Sequence, residues 1–181
     1  MNDDELREQL AGHAQTAFQG ILYRATLPGR DPLTSSYRGG RWVPPDTKAV
    51  LYTSTSRSGA LAEIAFRLGL NTPIPKISIR VHSLSVSTAG VLALSMENLQ
   101  KLDVDPSRFG QLDYDWTQKI GLAAFQIGAT ALQIPSARWP TDNLVIVDES
   151  VSNTTVDLLE SEVVNWIEWA HQYAPQFLPD R

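Results

Sequence analysis

"AVLYTSTSRSGALAEIAFRLG", residues 49–69, holds both halves of a mixed fold in one short stretch. Its opening, "AVLYTS", has the β-branched and aromatic character of a strand. A polar break follows, and then "SRSGALAEIAFRLG" reads as a helix of about a dozen residues, with Ser56 or Ser58 suited to the N-cap and Gly69 to the C-cap. A strand that hands over directly to a small-residue helix argues for a domain in which sheet and helix share one core.

Upstream, "GILYRAT" predicts a short strand, and residues 27–47, rich in Pro, Gly and Ser, predict a long loop. A loop of that length in a compact domain is usually functional or disordered. Within it, "YRGGRWVPP", residues 37–45, sets Arg38 and Arg41 around a glycine pair and closes on Trp42 and two prolines. Glycines allow close backbone approach and prolines stiffen the exit, so this is a shaped loop carrying guanidinium forks suited to carboxylate or phosphate. Before it, Leu6, Leu10, Ala14 and Ala17 or Phe18 fall on one face behind Asp3 and Asp4, predicting an N-terminal helix over residues 3–18.

Downstream, "KISIRVHSLSV" alternates with period two and predicts a strand, and "GVLAL" extends the sheet. "SMENLQKL" and "YDWTQKIGLAAFQIG" predict a short and a longer helix, the second ending near Gly128. "ATALQI" and "NLVIV" predict strands flanking the loop "PSARWPTD". Leu159, Val163, Trp166, Ala170 and Tyr173 form one stripe and predict a C-terminal helix over about 158–173. The expectation is one mixed α+β domain over residues 1–181, with a core over 20–148 between the two terminal helices.

The 181 residues include no cysteine, which excludes disulfides, thiolate metal sites and cysteine nucleophiles. The formal net charge of −5 argues against broad nucleic-acid or anionic-membrane binding. Charge is nonetheless concentrated: from Arg24 to Arg57 six basic residues stand against two acids, a local +4, so the remainder carries −9. A small anionic ligand suits that segment, and so does a solvated basic loop. The opening "MNDDELREQL" is unlike a secretory signal and no apolar run has the length of a membrane span, so a soluble cytoplasmic protein is expected.

Dinucleotide-fold, phosphate-loop, serine-hydrolase and zinc-protease motifs are all missing, and His13, His82 and His171 have no ligand-like spacing. Four polar residues in structured stretches remain. Arg24 ends "GILYR", at a cleft or where a strand leaves the core. Tyr52 sits in a strand, as core packing or as an aromatic face for a cationic ring. Glu63 interrupts "ALAEIAF", paired with Arg67 on an exposed face or buried with donors around it. Ser136 in "IPSARW" caps a turn or donates to a ligand.

Taken in order, "LYRAT", "GGRWVPP", "VLYTSTSRSGALAEIAF", "LDYDW" and "IPSARWPTDNLVIV" resemble the RES domain family, the toxin half of bacterial RES and Xre toxin–antitoxin pairs. The resemblance runs from Leu22 to Val147. It matches the family's arginine to Arg24, its GGR-aromatic arginine to Arg41, its strand tyrosine to Tyr52, its helix glutamate to Glu63 and its late serine to Ser136; Asn143 matches a less constant polar position. Two positions depart from the pattern: Val43 stands where the family often has Asn, and Asp46 where it often has Gly.

The resemblance implies a fold like that of ADP-ribosyltransferase toxins, a split, twisted β-sheet flanked by helices around a cleft for NAD. It implies an NAD-consuming toxin, a hydrolase or phosphorylase of the nicotinamide–ribose bond, neutralised by a cognate Xre-type antitoxin and needing no metal. Arg24, Glu63 and Ser136 are then catalytic, and Arg24, Arg41, Tyr52 and Asn143 bind NAD. Water, inorganic phosphate or a target protein accepts the ADP-ribose. The alternatives are an ADP-ribosyltransferase acting on a protein and a catalytically silent module that binds a nucleotide or a partner.

Overall fold

A computed structural model describes residues 1–148 and 154–179. The first helix, α1 (Asp3–Ala11), begins in a capping box between Asn2 and Glu5 and stops at Gly12. It is followed by β1 (Gln15–Thr26), β2 (Val50–Ser54), α2 (Arg57–Gly69) and a long β3 (Ile79–Ala93). Then come α3 (Met96–Lys101), α4 (Asp115–Gln126), β4 (Ala131–Pro135), β5 (Asp142–Val147), β6 (Thr154–Val164) and α5 (Trp166–Tyr173).

The strands do not form an open, split sheet. Their order is β1-β2-β5-β4-β3-β6, and β1 also pairs with β3, so five strands close into a barrel with β6 attached outside on β3. Closure depends on the lengths of β1 and β3, which pair antiparallel from Gln15↔Leu92 to Thr26↔Arg80. The far end of β3 then has room to pair with β4 over Val91↔Ala131 to Ala93↔Gln133. Closing the ring removes two sheet edges that a split arrangement would expose.

Both terminal helices differ from the sequence expectation. The helix expected over 3–18 ends at Ala11, and Ala14, Ala17 and Phe18 lie beyond it, because residues from Gln15 onward gain a continuous ladder along β3. The helix expected over about 158–173 is only its second half. Leu158, Leu159 and Val163 lie in β6, exposed, because β3 offers them a free edge from Ile79↔Val164 to Thr88↔Thr154. Asn165 accepts from the amides of Ile167 and Glu168 and starts α5 one residue after the strand ends. The segments "KISIRVHSLSV" and "GVLAL" are one strand, β3.

Three apolar clusters follow from this layout. Leu22, Leu51, Leu84, Val86, Leu144 and Ile146 fill the barrel. Outside it, Trp42, Val43, Ile120, Leu132 and Val145 pack beneath α1, α3 and α4, and Leu61, Ala65, Val81, Trp166 and Trp169 pack α2 and α5 over the β1–β3 side. None of the described helices is long and apolar enough to cross a membrane.

Candidate active site

The site is assembled on the outer surface of the barrel, where α2 meets the β4–β5 turn. Ser56 caps α2, accepting from the Gly59 amide at 3.0 Å. Gly59 has to be glycine, since a Cβ there would come within 2.5 Å of Thr141 Cγ2 and closer still to Ser54 Oγ. This close approach brings the next helical turn, and with it Glu63, against the turn. Glu63 Oε1 accepts from Ser136 Oγ and from Asn143 Nδ2, both at 2.8 Å. Glu63 Oε2 has no partner among the described residues and is not buried. One carboxylate oxygen is thus held while the other is available.

Ser136 has a second role. Its Oγ accepts from the backbone amides of Arg138 at 3.1 Å and Trp139 at 3.3 Å, while its own amide donates to the Thr141 carbonyl at 2.8 Å. The hydroxyl thus caps this turn, and its one donor bond goes to the Glu63 carboxylate. Asn143 is held by β5, where it pairs with Ser54 on one side and Ile134 on the other. Its Oδ1 is buried and has no hydrogen-bond partner among the described residues.

Tyr52 lies on the same outer face as Asn143, two residues along β2 from Ser54, and packs against the cluster around Trp42. Its hydroxyl accepts from the Trp42 amide at 3.3 Å, and burial pushes its pKa up to about 12. A Cβ at position 40 would lie 2.7 Å from that hydroxyl, so Gly40 is what lets the loop rest on Tyr52. The loop is also fixed to α4: Gln118 Nε2 donates to the Gly40 carbonyl at 2.9 Å and Thr117 Oγ1 to the Arg41 carbonyl at 2.7 Å. The two departures from the family pattern are absorbed here. Val43 is fully buried, and Asp46 takes a positive φ of 60°, the conformation glycine adopts most easily.

Arg41 reaches out from this loop between the rings of Phe109 and Tyr114, 5.0 and 4.6 Å from their centroids, and donates to the Gln111 carbonyl at 3.1 Å. Burial holds its pKa below the usual guanidinium range; Tyr114 and Glu63 act to raise it and Arg138 to lower it. A cavity of about 130 Å³ is lined by Arg41 and Arg108 together with Asp103, Asp105, Asp113 and Phe109, and its lining does not include Glu63. Arg38, the other arginine of the motif, is exposed.

Arg24 is not brought to this cluster. Tyr23 pairs with Ser54 and Ser54 with Asn143, so strand alternation sends Arg24 to the opposite, interior side with Leu22. There its Nη1 donates to the carbonyls of Pro32 at 2.9 Å and Thr34 at 3.1 Å. Burial lowers its pKa, against the raising influence of Asp31. Sequence reasoning missed Arg138, which stacks 3.4 Å from the Phe66 centroid and donates from Nη1 to the Gly110 carbonyl at 2.6 Å. The available signal was its place in "PSARW", two residues after Ser136 and next to an aromatic.

The fold is similar to the crystal structure of the MbcT–MbcA toxin–antitoxin complex of M. tuberculosis, where the matching toxin chain aligns with a TM-score of 0.76 at 19% identity, covering 92% of this chain and 95% of that one. No curated protein matches by sequence. The RES domain family model matches residues 11–163, a span that includes the loop arginine, Glu63, Ser136 and Asn143. The chain belongs to the RES domain family.

Proposed function

We propose that this protein is an NAD-consuming toxin that cleaves the bond between nicotinamide and ribose and is restrained by a cognate Xre-type antitoxin. Membership of the RES family supports a toxin, and the fold shared with a chain from a toxin–antitoxin complex supports an antitoxin partner. The observation that carries the chemistry is Glu63: Ser136 and Asn143 fix one oxygen at 2.8 Å each and leave the other free.

In this reading NAD is the substrate. The bond from the ribose anomeric carbon to the nicotinamide nitrogen breaks, the electron pair leaves with nicotinamide and neutralises its ring charge, and positive charge develops on the sugar. Glu63, already oriented, stabilises that charge without reorganising during the reaction. Water or inorganic phosphate then adds to the anomeric carbon and loses a proton. Tyr52 supplies an aromatic ring for nicotinamide, the free Oδ1 of Asn143 accepts from a substrate amide or hydroxyl, and Arg41 attracts the phosphates. Arg24 contributes from the opposite face by fixing the 32–34 loop.

Purified protein incubated with NAD, with and without inorganic phosphate, tests this. Release of nicotinamide supports the reading, and ADP-ribose 1″-phosphate formed only with phosphate identifies phosphorolysis. Unchanged NAD in both buffers contradicts it and favours a protein-directed transferase or a silent binding module.

A further inference from the structure

Two guanidiniums, those of Arg41 and Arg138, are anchored to adjacent carbonyls of one loop. Arg138 Nη1 donates to Gly110 and Arg41 Nη2 to Gln111, at 2.6 and 3.1 Å. Consecutive residues lie about 3.8 Å apart along the chain. The segment "FGQLDY", residues 109–114, thus aligns both cations, and its rings Phe109 and Tyr114 take the face of Arg41 while Phe66 of α2 takes that of Arg138.

Two partly buried guanidiniums anchored this close, with Arg138 acting to lower the pKa of Arg41, repel each other, and an anion between them would offset that repulsion. Among the described residues no acid forms an ion pair with either, and Nη2 of Arg138 is buried without a hydrogen-bond partner. Stacking and single carbonyl bonds restrain each fork while leaving other donors unused. Such pre-organised, under-satisfied pairs suit an anion with several oxygens.

We propose that Arg41 and Arg138 form a two-arginine cradle for a diphosphate, with Arg138 rather than Arg24 as the partner of Arg41. Identifying that diphosphate with the one in NAD rests on the function proposed above; the cradle itself rests on the loop geometry. Inorganic phosphate is the other source of the same chemistry.

The test is calorimetric binding of inorganic pyrophosphate, inorganic phosphate, ADP-ribose and adenosine to wild type, Arg41→Lys, Arg138→Lys, Arg138→Gln and Arg30→Gln. Arg138→Lys keeps the charge and loses the fork, which guards against a folding failure in Arg138→Gln; thermal melts check both. Arg30→Gln removes one exposed charge from the same basic segment. We expect pyrophosphate and ADP-ribose to weaken about tenfold or more in the Arg41 and Arg138 variants, with adenosine unaffected throughout and Arg30→Gln like wild type.

Pyrophosphate binding that is absent in wild type, or unchanged in folded Arg138→Lys, overturns the cradle. Pyrophosphate held no better than monophosphate overturns the diphosphate assignment in favour of free phosphate. A protein that holds pyrophosphate through Arg138 yet leaves NAD intact refutes the proposed activity and keeps the cradle. NAD turnover and KM indifferent to Arg138→Lys, in a protein that holds pyrophosphate through Arg138, overturn the identification with the NAD diphosphate and keep the cradle.

Discussion

Asn143 donates from Nδ2 to Glu63 Oε1 at 2.8 Å, while its own Oδ1 is buried with no partner among the described residues. The amide therefore orients the carboxylate with one end and carries a buried, unsatisfied acceptor at the other. Native proteins rarely leave such an atom unpaired without a use for it. Replacing Asn143 by Asp places a second carboxylate at hydrogen-bond distance from Glu63. We expect NAD turnover to fall roughly tenfold to a hundredfold, since a hydrogen bond to a charged group is worth about 1.5–3 kcal/mol. Nicotinamide release with a thermal melt as folding control decides this, and near-normal turnover by a folded Asn143→Asp protein would contradict the role given to the amide.

Glu63→Gln retains the shape of the side chain and removes its charge. If Glu63 stabilises a developing cation, turnover should drop at least about a hundredfold while the melting temperature stays within a few degrees of wild type. Steady-state nicotinamide release together with a thermal melt decides this. Near-normal turnover by a folded Glu63→Gln protein would remove Glu63 from the chemistry.

Gly121 is where α4 makes room for the arginine loop: a Cβ there would lie 1.9 Å from the Trp42 carbonyl oxygen. Gly121→Ala therefore has to displace backbone, and we expect a loss of about 1–3 kcal/mol in denaturant unfolding. Because Arg41 precedes Trp42, KM for NAD should rise more than kcat falls. Wild-type stability would mean that the loop is not seated on α4 as described.

His82 gives a pH dependence whose sign can be worked out. It is 2% exposed, and its ring nitrogens meet Thr26 Oγ1 at 2.9 Å and Ser161 Oγ at 2.7 Å. Burial, and then Arg24 and Arg80, lower its pKa, against the raising influence of Asp31. The unfolded chain thus binds this proton more readily than the native one. The contribution of neutral His82 is present above about pH 6.5 and is lost as pH falls through the depressed native value. Urea melts between pH 7.5 and 5.5 should show falling stability in wild type and a flatter profile in His82→Gln. Parallel profiles for the two proteins would contradict the assignment.

The local handover from β2 to α2 was legible in residues 49–69, because Ser56 marks the helix start chemically and Tyr52 and Glu63 fall within regular elements; Gly69, expected as the C-cap, is instead the last helical residue before the cap Leu70, and is small because a Cβ there would lie 1.9 Å from the Phe177 carbonyl oxygen. Barrel closure was not legible, since it depends on β1 finding β3 about sixty residues away and on both being long enough to share it with other strands. The β6 segment "TTVDLLESEVV" carries a helical stripe, and only a vacant ladder on β3 makes it a strand. Arg24 shows the same limit at the site. Its motif could be read in one dimension, whereas the side of the barrel it faces is set by register with Ser54. Arg138 was hidden because its stacking partner, Phe66, lies seventy-two positions earlier, on α2.

The separation of Glu63 from its two anchors also fixes a timing. Ser136 and Asn143 lie 73 and 80 positions downstream of it, and β5, which carries Asn143, is the strand inserted between β2 and β4. An N-terminal stretch emerging from a ribosome possesses the carboxylate long before it possesses the groups that orient it, and until β5 arrives one side of β2 lacks its native neighbour. Competence is therefore acquired in one late step of synthesis, and a nascent chain arrested before Asn143 should be inert as well as unstable.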